Sequence, residues 1–427
     1  MNVLSLGATV CALVLLLCHA VTSETIIWQD EFDTLDLSKW NHLVSAWSGG
    51  NAEFQMYRND RKNSYVRDGV LYLKPTLTAD EYGEDLLYNG SLSYPDCNKE
   101  PCVSVLPTFS RTQSTSSFAV QTSKFPERQP PFILHDNARC HVAGTVAELL
   151  QRWDWEVLEY HPYSPDMSPC DYNLFPRLKE PLRGKRSSGA DIVEPVLSAR
   201  MISTFGFKYG RVEIKAQMPK GHWLWPAIWM LPKDNVYGDW PRSGEVDIIE
   251  TRGNENYFDQ SGVNQGIDRM GSTMHWGPDY LHNWYWKTHW EQSLAGTGRT
   301  YADDFHLYGV EWTDQYMRFT LDYVEYGRID APADGFWYFG EYDKNPGGDN
   351  IWQNGNNMAP FDQEFTFIFN VAIGGYFFPD EWDPHPWSWF SGHTMRDFWE
   401  GRSEWLPTWN GEQAAMKVDY IRVFSLD

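Results

Sequence analysis

Apolar and polar residues alternate along most of this 427-residue chain, in short runs that Gly, Pro, Asn and Asp interrupt. TIIWQDEF, SYVRDGVLYLKP, FGFKYGRVEIKAQMP, SGEVDIIE, FHLYGVEWT, MRFTLDY, FTFIFNVAIGG and MKVDYIRVF are such runs. Successive side chains of a strand point to opposite faces, so each run predicts a strand with one buried and one wetter face. Repetition at short spacing, with no helical period between the runs, predicts an all-β sandwich or barrel. One stretch breaks the pattern. Residues 142–153 read as a helix and 155–160 as a strand, a short α/β-type fragment inserted in an all-β chain.

Residues 243–254, SGEVDIIETRGN, carry three carboxylates on a segment otherwise suited to a buried strand. Val246, Ile248 and Ile249 favour extended backbone, and Glu245 and Asp247, two apart, share a face. Glu250 is five positions from Glu245, an odd offset that sends it to the other face unless one residue is absorbed. A β-bulge at Ile248 or Ile249 absorbs it. Three acids on one face repel and lose hydration, so chemistry is the better reason for them than structure. Two carboxyls flanking one bond, one ionised and one protonated, are what glycoside hydrolysis with retention uses.

Composition narrows the partner. The net charge of −23 argues against nucleic acid or an anionic membrane, because both need a basic surface. The 22 Trp and 23 Tyr exceed ordinary core filling and offer platforms for the C–H faces of sugar rings. The opening MNVLSLGATVCALVLLLCHAVTS has no charged side chain and a short apolar run, so residues 1–23 read as a secretory signal peptide and the expected location is extracellular. No later run is long enough for a membrane helix. In an oxidising compartment Cys97 and Cys102, close in one loop, are a candidate disulfide, and Asn89 opens an Asn-Gly-Ser glycosylation sequon.

Within 128–186 eight basic residues balance eight acidic ones, so the negative charge comes from elsewhere in the chain. This segment resembles the end of the catalytic domain of mariner-type transposases, through HDNARCH and YSPDMSPCDYNLF. Asp136 and Asp171 match two of that family's metal-binding acids, with 34 residues between them. The first acid and the DNA-binding helices are missing, and Cys170 stands where Ser is usual. Two acids cannot assemble a two-metal site. The expected reading is an inert relic over 127–187, with Cys140 and His141 as remnants rather than zinc ligands.

The flanking parts, 24–126 and 188–427, resemble glycoside hydrolase family 16, within it the animal β-1,3-glucanase and β-1,3-glucan-binding group. The matching motifs are WQDEFD, GGNAEFQMY at 49–57, KYGRVEIKAQMPKG at 208–221, LWPAIWMLP, SGEVDIIETRGN, MHWGP at 274–278, LYGVEWT, FNVAIGG and VDYIRVF. The resemblance implies a concanavalin-like β-jelly-roll sandwich with an open cleft. It implies Glu245 as nucleophile, Glu250 as general acid and base, and Asp247 as the nucleophile's partner. Trp225, Trp229, Trp240, His275, Asn51 and Glu53 are the implied β-glucan contacts, with Arg200 near the cleft. The reaction needs no cofactor, although some members hold a structural calcium through an Asp matching Asp419 and a carbonyl near Gly69. Other members are non-catalytic and bind glucan or lipopolysaccharide to trigger immune-cascade proteins. The presence of all three acids favours hydrolysis.

Overall fold

The computed structural model describes residues 24–46, 50–93, 103–105, 132–135, 156–159, 192–389 and 391–426. Two antiparallel sheets face each other. One runs in the order Val324–Asp330, Tyr316–Leu321, His306–Trp312, Gly210–Gln217, Met416–Phe424, Val70–Leu73, Ser64–Arg67, with Ile26–Asp30 also paired to Met416–Phe424. The other runs His289–Ser293, Arg269–His275, Glu245–Thr251, Leu224–Pro232, Phe365–Ile373, Arg200–Phe207, Trp40–His42. The strand order jumps repeatedly between distant parts of the chain, and the result is the expected jelly roll.

The alternation read from the sequence is what builds the layers. In Gly210–Gln217, Val212, Ile214 and Ala216 are buried while Arg211, Glu213 and Lys215 point outward. From the facing sheet Ile228, Met230, Val246, Ile248, Met274, Phe367 and Phe369 enter the same core. Of the 22 Trp, 19 lie in described residues, and nine of those are buried, so about half of them do fill the core.

Phe365–Ile373 is buried on both faces, because a small three-stranded sheet lies along it. That sheet joins Gln55–Tyr57, Val196–Ser198 and Thr76–Leu77. Ser198 Oγ donates to the Val371 carbonyl at 2.6 Å, and Ile373 N donates to Gln55 Oε1 at 2.7 Å. Val196–Ser198 pairs in parallel with Gln55–Tyr57, an arrangement that the alternation pattern did not reveal.

The described chain resumes after the segment with the transposase resemblance at Ile192. There Val193 N donates to the Leu87 carbonyl, and the Arg200–Phe207 strand begins eight residues after Ile192. Within the segment Phe132–His135 and Glu156–Glu159 pair in parallel, the second inside the strand expected at 155–160. The helix expected at 142–153 lies outside the described residues, as do Asp136, Cys140, His141, Cys170, Asp171, the Cys97 and Cys102 pair, and residues 1–23. Asn89 ends the helix Glu84–Asn89, is exposed, and donates through Nδ2 to Asp85 Oδ1. No helix among the described residues is long and apolar enough to cross a membrane.

Phe369 tests the layer assignment. It is fully buried, its ring 4.9 Å from that of Trp40. Phe369→Ala leaves a cavity between the sheets and is expected to lower unfolding free energy by about 3–5 kcal/mol, read from urea denaturation with an unchanged denaturant slope.

Candidate active site

The strand Glu245–Thr251 lies between Leu224–Pro232 and Arg269–His275. Its register fixes where the acids point. Asp247 pairs with Thr273 and Glu250 with Gly271, so three steps on this strand match two on its neighbour. On the other side Ile249 pairs with Ile228 and Asp247 with Trp229, skipping Ile248. This is the expected bulge, and its unpaired Ile248 carbonyl is taken by Ser272 Oγ at 2.5 Å. Val246, Ile248 and Ile249 all enter the core, while Glu245, Asp247 and Glu250 share the opposite face.

Each acid has its own partner. Trp225 Nε1 donates to Glu250 Oε1 at 2.9 Å, Trp240 Nε1 donates to Glu245 Oε2, and His275 Nε2 lies 3.1 Å from Asp247 Oδ2. Trp225 is held flat against Phe377, ring centroids 4.4 Å apart. The Arg252 guanidinium lies over Phe377 and over Trp382, at 3.8 and 4.6 Å, and its Nε donates to the Phe377 carbonyl. The stack from Trp382 through Arg252 and Phe377 to Trp225 therefore sets the indole that meets Glu250.

Asp247 is buried, and the donor atoms of Glu245, Asp247 and His275 lie within 4.8 Å of one another. The carboxyl of Glu245 is pushed up to about 8, first by loss of hydration and then by the charge of Asp247; Trp240 and His275 oppose the rise. Asp247 is held well above the ordinary carboxylate range, by burial first and then by Glu250. Crowding of acids in a poorly hydrated site thus makes the first two compete for a proton.

Sequence reasoning missed Asn283. The Trp276 backbone N–H donates to Asn283 Oδ1 at 3.3 Å, which orients the amide so that Nδ2 faces His275 Nδ1 at 2.8 Å. An amide N–H there requires Nδ1 to accept, which leaves the hydrogen of the neutral ring on Nε2; Asp247 Oδ2, 3.1 Å from that nitrogen, accepts no hydrogen bond from the described residues. The signal was present in principle, since a polar residue eight positions past His275 can return beside it if the loop reverses at Gly277. A Cβ at Gly277 would stand 2.1 Å from the His282 carbonyl, so only glycine permits that reversal.

The remaining expected residues form a second polar group beside the acids. Glu53 is buried, accepts from Gln55 Nε2 at 2.6 Å and Tyr57 Oη at 3.3 Å, and has its carboxyl raised to about 6 by burial. Asn51 bonds Glu53 through its side chain and accepts at its carbonyl from Tyr376 N. Asn370 links Tyr57 to Trp229: its Nδ2 donates to the tyrosine and its Oδ1 accepts from the indole at 2.7 Å. Arg200 lies 4.5 Å over the Trp229 ring. Trp225 and Trp229 are half-buried and Trp240 is exposed, so all three keep surface for a ligand. At the expected calcium position Lys215 Nζ sits 2.7 Å from Asp419 Oδ2.

The family described as Glycosyl hydrolases family 16 matches residues 192–346. A beta-1,3-glucan-binding protein of Penaeus monodon is 37% identical over 439 residues, covering 98% of this chain and 98% of the relative. Glucan endo-1,3-beta-glucosidase A1 of Niallia circulans is 26% identical over 95% of this chain and 38% of its own length. Among solved structures the laminarinase of Rhodothermus marinus is 21% identical, with a TM-score of 0.47, covering 94% of this chain and 97% of that one.

The proton crowding has a stability consequence. A carboxyl raised from 4.5 to about 8 takes up a proton on folding between those pH values. Its penalty is absent below pH 4.5, grows as pH rises and is complete above pH 8. Glu245→Gln removes it, so the variant is expected to be more stable than the parent at pH 8, by on the order of 3 kcal/mol. The gain should vanish at pH 4, as chemical denaturation at the two pH values would reveal.

Proposed function

The chain belongs to glycosyl hydrolase family 16, and from that premise we propose that it is a secreted endo-β-1,3-glucanase, acting on β-1,3- or mixed-linkage glucan with retention. The observation that carries this reading is the bulged strand that turns Glu245, Asp247 and Glu250 to one face, each beside a separate hydrogen-bonding or charged partner.

In this reaction ionised Glu245 attacks the anomeric carbon as Glu250 gives its proton to the departing glycosidic oxygen. The C–O bond to the leaving sugar breaks and a glycosyl ester forms on Glu245. Glu250, now a carboxylate, takes a proton from water; the resulting hydroxide displaces Glu245 and restores the starting configuration. Trp225 orients Glu250, and Trp240 stabilises charge on Glu245 by donating to it. Asp247 sits between the two events. A proton resting on Asp247 rather than Glu245 leaves the nucleophile charged, and His275 favours that arrangement by opposing the rise of the Glu245 carboxyl.

A second reading has its own support. The Penaeus monodon relative is named for glucan binding, and a carboxyl raised to about 8 is largely protonated at neutral pH, hence a poor nucleophile. In that reading the same cleft holds glucan for recognition, with immune-cascade proteins downstream. The two readings divide on turnover. Wild-type protein that binds laminarin without releasing reducing sugar would favour recognition.

Two measurements test the hydrolase reading. Glu245→Gln is expected to cut reducing-sugar release from laminarin by roughly a thousandfold or more while laminarin binding persists; undiminished release would sink the assignment. The acid limb of kcat/KM is expected above the ordinary carboxylate range and belongs to the Glu245 and Asp247 pair. Asn283→Asp offers an acceptor for a second imidazole proton, so the limb should move to lower pH. A limb that stays in place, even with lower kcat, would reduce Asn283 to a structural role.

A further inference from the structure

Beyond the acids, the loop that carries Asn283 presents an unusual run of exposed rings. Trp240 is 40% exposed, Tyr280 64%, Tyr285 43% and Trp286 55%. These rings form one connected surface. Trp240 lies 6.0 Å from Tyr280 and 5.8 Å from His275; His275 lies 5.2 Å from Tyr285, and Tyr285 lies 5.7 Å from Trp286. The surface begins at the active site itself, since Trp240 is the indole that donates to Glu245.

The loop is held in place. Asp279 Oδ1 accepts from the backbone N–H groups of Leu281 and His282, and Tyr342 Oη donates to the His282 carbonyl at 2.8 Å. Trp284 Nε1 donates to the Gly340 carbonyl at 2.7 Å, and Thr288 Oγ1 donates to the Met274 carbonyl. Rings this exposed on a backbone this constrained expose apolar area permanently, which is unfavourable in water and favourable for a partner that covers it. The charges on the stretch are already engaged: His282 with Asp279, and Lys287 Nζ with the Phe339 carbonyl. The matching ligand is therefore uncharged, with flat C–H faces and hydroxyl edges.

We propose that Tyr280, Tyr285 and Trp286 form a shelf that holds β-linked glucose units of the same chain, beyond those at the reacting bond. The inference rests on the glucan reading and extends it. The shelf selects for chain length, and because stacking does not depend on the charge of Glu245 or Glu250, it binds polymer whether or not the acids turn over. Trp240 joins the two regions, with its N–H on Glu245 and its ring tilted against that of Tyr280.

Isothermal titration in a Glu245→Gln background, where no sugar is consumed, separates the shelf from the centre. Laminaritriose fits the centre alone; polymeric laminarin reaches the shelf. Adding Tyr280→Ala and Trp286→Ala is expected to weaken laminarin roughly fivefold or more and to change laminaritriose less than about twofold, the latter also certifying the fold. Equal loss on both sugars, or no loss on laminarin, would overturn the shelf and leave the glucan reading standing. If the Glu245→Gln protein binds neither sugar, both readings fall together.

Discussion

One extra residue in one strand governs the rest. A regular strand that buries Val246 and Ile248 shows Glu245, Asp247 and Ile249 to the groove and sends Glu250 into the core. Ile249 would lose its apolar contacts and Glu250 its water, two penalties that add. Absorbing Ile248 without a partner on the neighbouring strand costs part of the hydrogen-bond ladder, and Ser272 recovers one bond of it. In exchange the core keeps both isoleucines and the groove gains a third acid. Deleting one residue here would reverse both placements, so the core and the site are fixed by the same local irregularity.

Gathering the acids creates the second constraint. The Trp240 N–H and His275 favour charge on Glu245, while burial and the neighbouring carboxyls oppose charge on Glu245 and Asp247, and opposition wins. Part of the fold's stability is thereby held against a proton-rich, unfavourable cluster. Sites of this kind are paid for by well-packed surroundings, and here the surroundings are the stacked ring and guanidinium groups from Trp382 to Trp225 on one side and the pinned 279–288 loop on the other.

The sandwich was legible because its long strands alternate cleanly, and Gly210–Gln217 or Met416–Phe424 need nothing else to be found. Leu224–Pro232 was visible as a motif rather than as alternation, and of Arg269–His275 only its end, within MHWGP, because neither strand alternates apolar with polar residues. Short strands such as Val196–Ser198 draw their stability from neighbours and leave almost no local pattern. The acids and the bulge were legible from offset alone, five positions where an even number was needed. Asn283 and Arg252 were not, because each acts through a contact that exists only after a loop has folded back or a ring has stacked. Glu53, expected as a ligand contact across the groove, lies buried with Gln55 and Tyr57 donating to it, a depth that sequence position does not carry.

Hydrolysis and recognition place different demands on this architecture, and the demands separate physically. Holding a neutral polymer uses ring faces and hydroxyl contacts spread along the groove, and it is nearly indifferent to which carboxyl bears a proton. Turnover requires that at the moment of attack Glu245 be ionised and Glu250 not, a distribution set within one strand. Bound sugar excludes water from the cluster, which strengthens every interaction in it, including the Trp240 N–H on Glu245 and the pull of His275 on the same carboxyl. The outcome then depends on which carboxyl the strengthened donors favour. A donor that stabilises charge on Glu245 promotes attack, whereas one that stabilises charge on Asp247 returns the proton to Glu245 and leaves a protein that only binds. The difference between an enzyme and a receptor on this fold can therefore lie in how Trp240 and His275 are set against Glu245, with every acid still in place.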